Sequence, residues 1–199
     1  MELLLILTCL CLSLQDTTKK VYANRCTGGN ISFSAFCTFT ALIFFIVNSG
    51  GKLTFSLDYL PYAIGFAISY SVFMISSVQA VRTGSLSLTT LILSCSLILP
   101  TIYGICILNE RVSIYLCIGI ILLVGALILI NLEKNTEKKQ TSKLWPLYVF
   151  LAFIGNGACS ILQKAEQISS DGAYKNEFMI LALAMSFAAF LICALVWER

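Results

Sequence analysis

Three groups of polar side chains interrupt long apolar stretches of this chain. Gln15, Asp16, Thr17, Thr18, Lys19 and Lys20 form the first, Tyr70, Ser76, Ser77 and Gln79 the second, and Asn156, Gln163, Lys164 and Glu166 the third. Polar groups inside lipid are costly, so they mark either a solute pathway or the glue between helices. Asn156, Gln163 and Gln167 are seven and four residues apart and share one helix face. Asp16 and Lys20 are spaced i, i+4 and face each other. A neutralised pair there is structural, while an unpaired Asp16 would bind a proton or a cation. Lysines within a turn or two of a helix end also snorkel to the interface, a competing reading for Lys19, Lys20 and Lys164. The residues expected to line a pathway are Gln15, Tyr70, Gln79, Asn156, Gln163 and Lys164.

Enzyme chemistry finds no support in these residues. There is no histidine, and Gly155-Asn156-Gly157 lies inside an apolar run and follows no strand. No carboxylate pair converges within an apolar run. The nine cysteines include no CxxC pair, and all but Cys26 fall in apolar runs, where cysteine acts as a small hydrophobe. We therefore expect no catalytic residue, no metal site and no cofactor. The net charge of +3 is scattered through loops, which argues against a nucleic-acid partner.

The elements that must hold these side chains are membrane helices. Of the 199 residues 58% are hydrophobic and 12% charged, with mean hydropathy +0.90. Soluble domains carry about 25% charged residues. Residues 85–132 show the pattern at its clearest: two apolar runs joined by the corner Asn109-Glu110-Arg111. Each is long enough to cross a hydrocarbon core of about 30 Å as a helix. Seven such spans are expected, over 2–22, 31–47, 57–81, 85–108, 112–132, 144–167 and 177–197. The runs are too long, and alternate too little, for barrel strands. The first begins Met1-Glu2 with no preceding positive charge and no A-x-A-like cleavage site, so an uncleaved helix is expected rather than a signal peptide.

Pro100 lies inside the fourth span and should kink it, freeing a carbonyl. The serines and threonines of that span then either line a cavity or bond back to their own helix. Gly119, Gly125, Ala126, Ala184 and Ala188 suggest close helix contacts. Glu110-Arg111 reads as a cap at the turn. The polar stretch EKNTEKKQTSK, residues 133–143, divides the chain into units 1–132 and 144–199. The two units begin alike. Residues 3–24 can be laid over 147–168, each an apolar helix with small or polar residues in its second half, followed by a glycine-containing loop and another apolar span. Internal repeats of this kind are common in secondary transporters. Lysine and arginine are richer on the side holding Lys19, Lys20, Arg25, Arg82 and the 133–143 linker, which favours an external N-terminus.

Residues 86–132 resemble the EamA-type repeat of the drug/metabolite transporter superfamily. The resemblance is carried by a Ser/Thr-rich helix with Pro100, then Leu108-Asn109-Glu110-Arg111-Val112-Ser113, then Ile118-Gly119 and Gly125. The stretch 157–164, ending in lysine, is similar to the polar end of the first helix in each repeat of that family. The resemblance implies an all-α integral membrane bundle of inverted repeats: a first five-helix repeat over 1–132 and the opening two helices of a second over 144–199. It implies a multi-pass permease of the inner cell membrane. Such a protein moves amino acids, metabolites or drugs by alternating access through a pocket lined by spans one, three, four and six. It also implies a cytoplasmic N-terminus, opposite to the charge count. The family has ten helices and this sequence supplies seven. The competing expectation is a non-transporting membrane subunit, either truncated or in need of a homo-oligomer or another partner to complete it.

Overall fold

The computed structural model describes residues 2–25, 29–50, 58–110, 112–132 and 142–197, and every regular element among them is helical. The helices are α1 (Glu2–Arg25), α2 (Asn30–Asn48), α3 (Leu60–Thr83), α4 (Leu86–Ser94), a 3-10 turn (Cys95–Leu97), α5 (Ile98–Cys106), α6 (Ile114–Leu132), α7 (Trp145–Ser169) and α8 (Lys175–Trp197). A helix satisfies its own backbone polar groups, which lipid cannot do. Five helical spans are long and apolar enough to cross a bilayer: Asn30–Asn48, Leu60–Thr83, Leu86–Cys106, Trp145–Ser169 and Lys175–Val196. This is the architecture of a multi-pass membrane protein. The other two expected spans are helical as well. In α1, Asp16, Lys19 and Lys20 crowd the C-terminal half, and α6 is an uncharged apolar helix of 19 residues. The outer surface fits a lipid environment. Phe36, Phe44, Val47, Ile68, Tyr115 and Ile121 are all exposed, more apolar surface than a water-soluble monomer shows.

Helix α3 is the hub. It packs along α7 and also touches α1, α2, α4 and α8, while α2 and α8 pack on each other. Tyr59, Ala63, Phe66, Cys159, Phe178 and Ala182 form the larger buried cluster, and Ala35, Met74 and Phe190 the smaller. The α3–α7 contact is close because α7 presents glycine. A Cβ at Gly155 would sit 3.0 Å from the Ser69 carbonyl oxygen and 3.0 Å from the Phe73 nitrogen. Three of the small residues expected at contacts lie elsewhere. A Cβ at Gly119 or Gly125 would meet nothing within 4 Å among the described residues, and Ala188 is exposed. Alpha-helix periodicity shows that a residue is small, but not whether another helix lies over it.

Both units open in the same way locally. α1 has 24 residues and α7 has 25, and each leads through a left-handed glycine, Gly29 (φ 78°) or Gly172 (φ 73°), into another long helix. Gly172 N donates to Gln167 O at 2.9 Å with Asp171 left-handed before it, a Schellman-type stop for α7.

The corner between α3 and α4 is tied down by polar bonds. Lys20 Nζ donates to Val81 O (2.7 Å) and Gly84 O (3.0 Å), taking up carbonyls that the end of α3 leaves without helical partners. The Trp145 ring lies against Gly84, leaving no room there for a Cβ, and Trp145 Nε1 donates to Thr89 Oγ1 at 3.1 Å. Trp145→Phe keeps most of the ring contact and loses this one bond. It should lower stability in detergent by about 1 kcal/mol, read from thermal denaturation.

The fourth span breaks one turn before Pro100. A proline at 100 cannot bond to the carbonyl of Ser96, and its ring crowds that carbonyl. The chain answers with the 3-10 turn Cys95–Leu97. Most hydroxyls of this span bond back to their own helix: Thr89 to Ser85 O, Ser94 to Thr90 O, Thr101 to Leu97 O. The residues that also reach another helix are few, and they shape the site.

Candidate functional site

One face of α7 carries Asn156, Ser160 and Lys164 at i, i+4 and i+8, a stripe facing the broken fourth span. Asn156 Nδ2 donates to Ser96 Oγ at 2.6 Å, and Ser96 Oγ donates to Leu93 O at 2.6 Å. The contact falls on the 3-10 turn, so the break and the polar cross-link coincide. Two turns further along α7, Lys164 Nζ lies 2.6 Å from Glu110 Oε2. Glu110 is brought there by the corner after α5, where Asn109 is left-handed (φ 52°) and Glu110 N donates to Gly104 O at 3.0 Å. The pair lies over Gly104, where a Cβ would overlap both charged groups. A cavity of about 350 Å³ opens beside it, lined by Leu97, Pro100, Thr101, Glu110, Leu116 and Lys164 among others. The Glu110 side chain is 49% exposed, so this pair is solvated and holds the bundle only weakly.

A second charged centre sits across α3. Lys19 is 5% exposed, with Nζ 3.2 Å from Asp16 Oδ1 and 5.8 Å from the centroid of the Phe73 ring. Phe73 joins the two centres, since its backbone packs on Gly155, the neighbour of Asn156. Tyr70 lies one turn below in α3, stacked on Phe66 with centroids 5.8 Å apart and tilted against Phe73 at 6.4 Å. Four spans, α1, α3, α4–α5 and α7, therefore meet around a partly polar interior.

The six expected pathway residues scatter within this frame. Asn156 and Lys164 stand on the stripe. Tyr70 and Gln79 are half-buried on α3, and Gln163 is half-buried beside Lys164. Gln15 is exposed, one turn before the buried Lys19 on α1, and Ser13, Thr17 and Thr18 are exposed as well. Asp16 pairs with Lys19 at i+3, whereas i, i+4 spacing favoured Lys20, which serves the α3 carbonyls. Lys19, Ser96 and Glu110 were not among the expected set. For Lys19 the available signal was the i, i+3 spacing to Asp16. Glu110 was read as a cap because the corner is polar in its own right.

No family model matches this chain, and neither does any curated protein or solved structure. The EamA-type resemblance therefore stands on the motifs of residues 86–132. In the structure those motifs become the helix break before Pro100, the Glu110 corner and α6. Chemically the described part of this interior offers the solvated Lys164–Glu110 pair, the buried Lys19 ammonium beside Asp16, and neutral hydrogen-bonding groups. Among the described residues no cluster of histidine, cysteine and acidic side chains would hold a metal ion.

Proposed function

We propose that the chain is a multi-pass permease that moves small polar solutes by alternating access. The pathway runs between α7 and the broken fourth span. The carrying observation is the Asn156–Ser96 bond on the 3-10 turn Cys95–Leu97. Discontinuous helices with polar residues at the break are the usual binding elements of secondary transporters. A break frees backbone groups for a solute, and it supplies a joint about which α5 can swing relative to α4. Lys164–Glu110 then acts as a solvated latch on the cavity, forming and parting at little cost.

A ligand thermal-shift screen of amino acids, small metabolites and drugs identifies the solute, and flux is followed in proteoliposomes. Asn156→Ala leaves Ser96 Oγ without its donor and removes a group facing the break. Flux should fall about tenfold, the equivalent of about 1.4 kcal/mol. Lys164→Ala should change flux as well. If both variants fold and carry wild-type flux, the stripe is helix glue and the pathway lies elsewhere.

The second reading is a membrane subunit completed by a partner chain. It is supported by the exposed side chains of Ser13, Gln15, Thr17 and Thr18 on α1, which no element among the described residues covers. A primary amide facing lipid is costly. Disulfide trapping of Gln15→Cys, scored for dimer in native membranes, separates the two readings.

A further inference from the structure

Glu166 is 1% exposed, deeper than any other acidic side chain among the described residues. Its Oε1 accepts from Ser170 Oγ at 2.8 Å, and its Oε2 has no hydrogen-bond partner among the described residues. The side chain lines a cavity of about 390 Å³ where α3 begins and α7 ends. Asp58, Tyr59, Tyr62, Ser169 and Tyr174 form other parts of the wall. The Tyr59 and Tyr174 rings stand 5.6 Å apart, tilted by 38°.

A carboxylate oxygen with no donor in a desolvated place is a ready partner for a cation. Two carboxylates give this cavity a field that draws cations, while the positive end of α3 and the negative end of α7 largely offset each other. Its walls then choose among them. Three tyrosines supply π-faces, which attract alkylammonium groups. A hard metal ion would need six or more oxygen ligands, more than this wall arranges. Glu166 lies two residues from Lys164, about 200° around the helix, so the cavity is on another side of α7 from the stripe.

We propose that this cavity binds an organic ammonium group, with Glu166 as its counter-ion and the tyrosines as its aromatic wall. The proposal stands whether or not the bundle carries solutes along the stripe. The test uses the full chain in detergent, titrated calorimetrically with tetramethylammonium and with ethylammonium chloride at constant ionic strength set by sodium chloride. Saturable binding is expected. Glu166→Gln keeps the side-chain shape and the Ser170 bond and should weaken binding at least tenfold with unchanged circular dichroism. Tyr174→Leu should weaken it severalfold, while Tyr174→Phe keeps most of it. Absence of saturable binding by the unmodified chain overturns the proposal, as does equal binding by Glu166→Gln and Tyr174→Leu. So does competition by sodium at concentrations equal to the ammonium, which would make the site one for inorganic cations.

Discussion

Lys19→Met should stop most solute flux while leaving the bundle folded, and Asp16→Asn should unsettle the fold. The two outcomes come from one ion pair because its members are buried unequally. The Lys19 side chain is 6% exposed and that of Asp16 35%. Methionine has nearly the length of lysine and belongs in an apolar interior, so Lys19→Met removes the desolvated charge and leaves behind only the less buried member of the pair, Asp16. Replacing a buried ion by an apolar side chain of like size is neutral or stabilising in many proteins. Under the transport reading, the ammonium over Phe73 is a binding group beside the α7 stripe, and its loss should lower flux by ten- to a hundredfold. Asp16→Asn instead leaves the ammonium buried with the Phe73 ring beside it and no anion. The full cost of orphaning a buried charge is about 3–5 kcal/mol. The half-open position of Asp16 reduces that here to about 2–3 kcal/mol, since an exposed partner contributes less. The double variant Asp16→Asn/Lys19→Met should regain thermal stability in detergent and stay inactive in proteoliposomes. Full flux through Lys19→Met would reduce the pair to a structural one.

The helices were legible because lipid imposes length and apolarity on any segment that crosses it, and composition records both. The corner at Asn109-Glu110-Arg111 was legible for the same reason, as three polar residues between two runs. The kink was legible in kind: Pro100 marks it, and the break falls on the turn containing Ser96, whose carbonyl the proline cannot serve. The neighbours of each face were not legible. Lys19 and Lys20 are adjacent, about 100° apart around α1. One points into the α1–α3 contact and the other to the end of α3, and α1 has no polar face sharp enough to say which. Asn156, Gln163 and Gln167 share a helical face, and Ser160 and Lys164 flank it on the side where Ser96 and Glu110 lie, which the local spacing does not announce. Such pairings join residues more than fifty positions apart, and a local period cannot report them.

The same gap between smallness and contact decides where a larger side chain would do the most damage. At Gly155 the neighbours are backbone atoms of α3, Ser69 O and Phe73 N at 3.0 Å and Phe73 Cα at 3.1 Å from an added Cβ. Backbone cannot rotate aside as a side chain can. Gly155→Leu must therefore push α7 off α3 along the most extensive helix contact in the bundle. Between helices in lipid the attraction is mainly van der Waals packing, which a small gap largely forfeits. Overpacking of this kind costs about 3 kcal/mol. Separation at this point also moves Asn156 from Ser96 and Phe73 from Lys19, so flux and stability should fall together. Gly119→Leu and Gly125→Leu are the controls. Sequence alone marks these two as close contacts and not Gly155, yet a Cβ at either meets nothing within 4 Å among the described residues. Both should leave the thermal midpoint in detergent unchanged or slightly higher, since leucine favours helix over glycine by about 0.8 kcal/mol. A midpoint that drops as far for Gly125→Leu as for Gly155→Leu would mean that α6 is packed against a surface this arrangement leaves open, and that the α3–α7 contact is not the one that holds the bundle together.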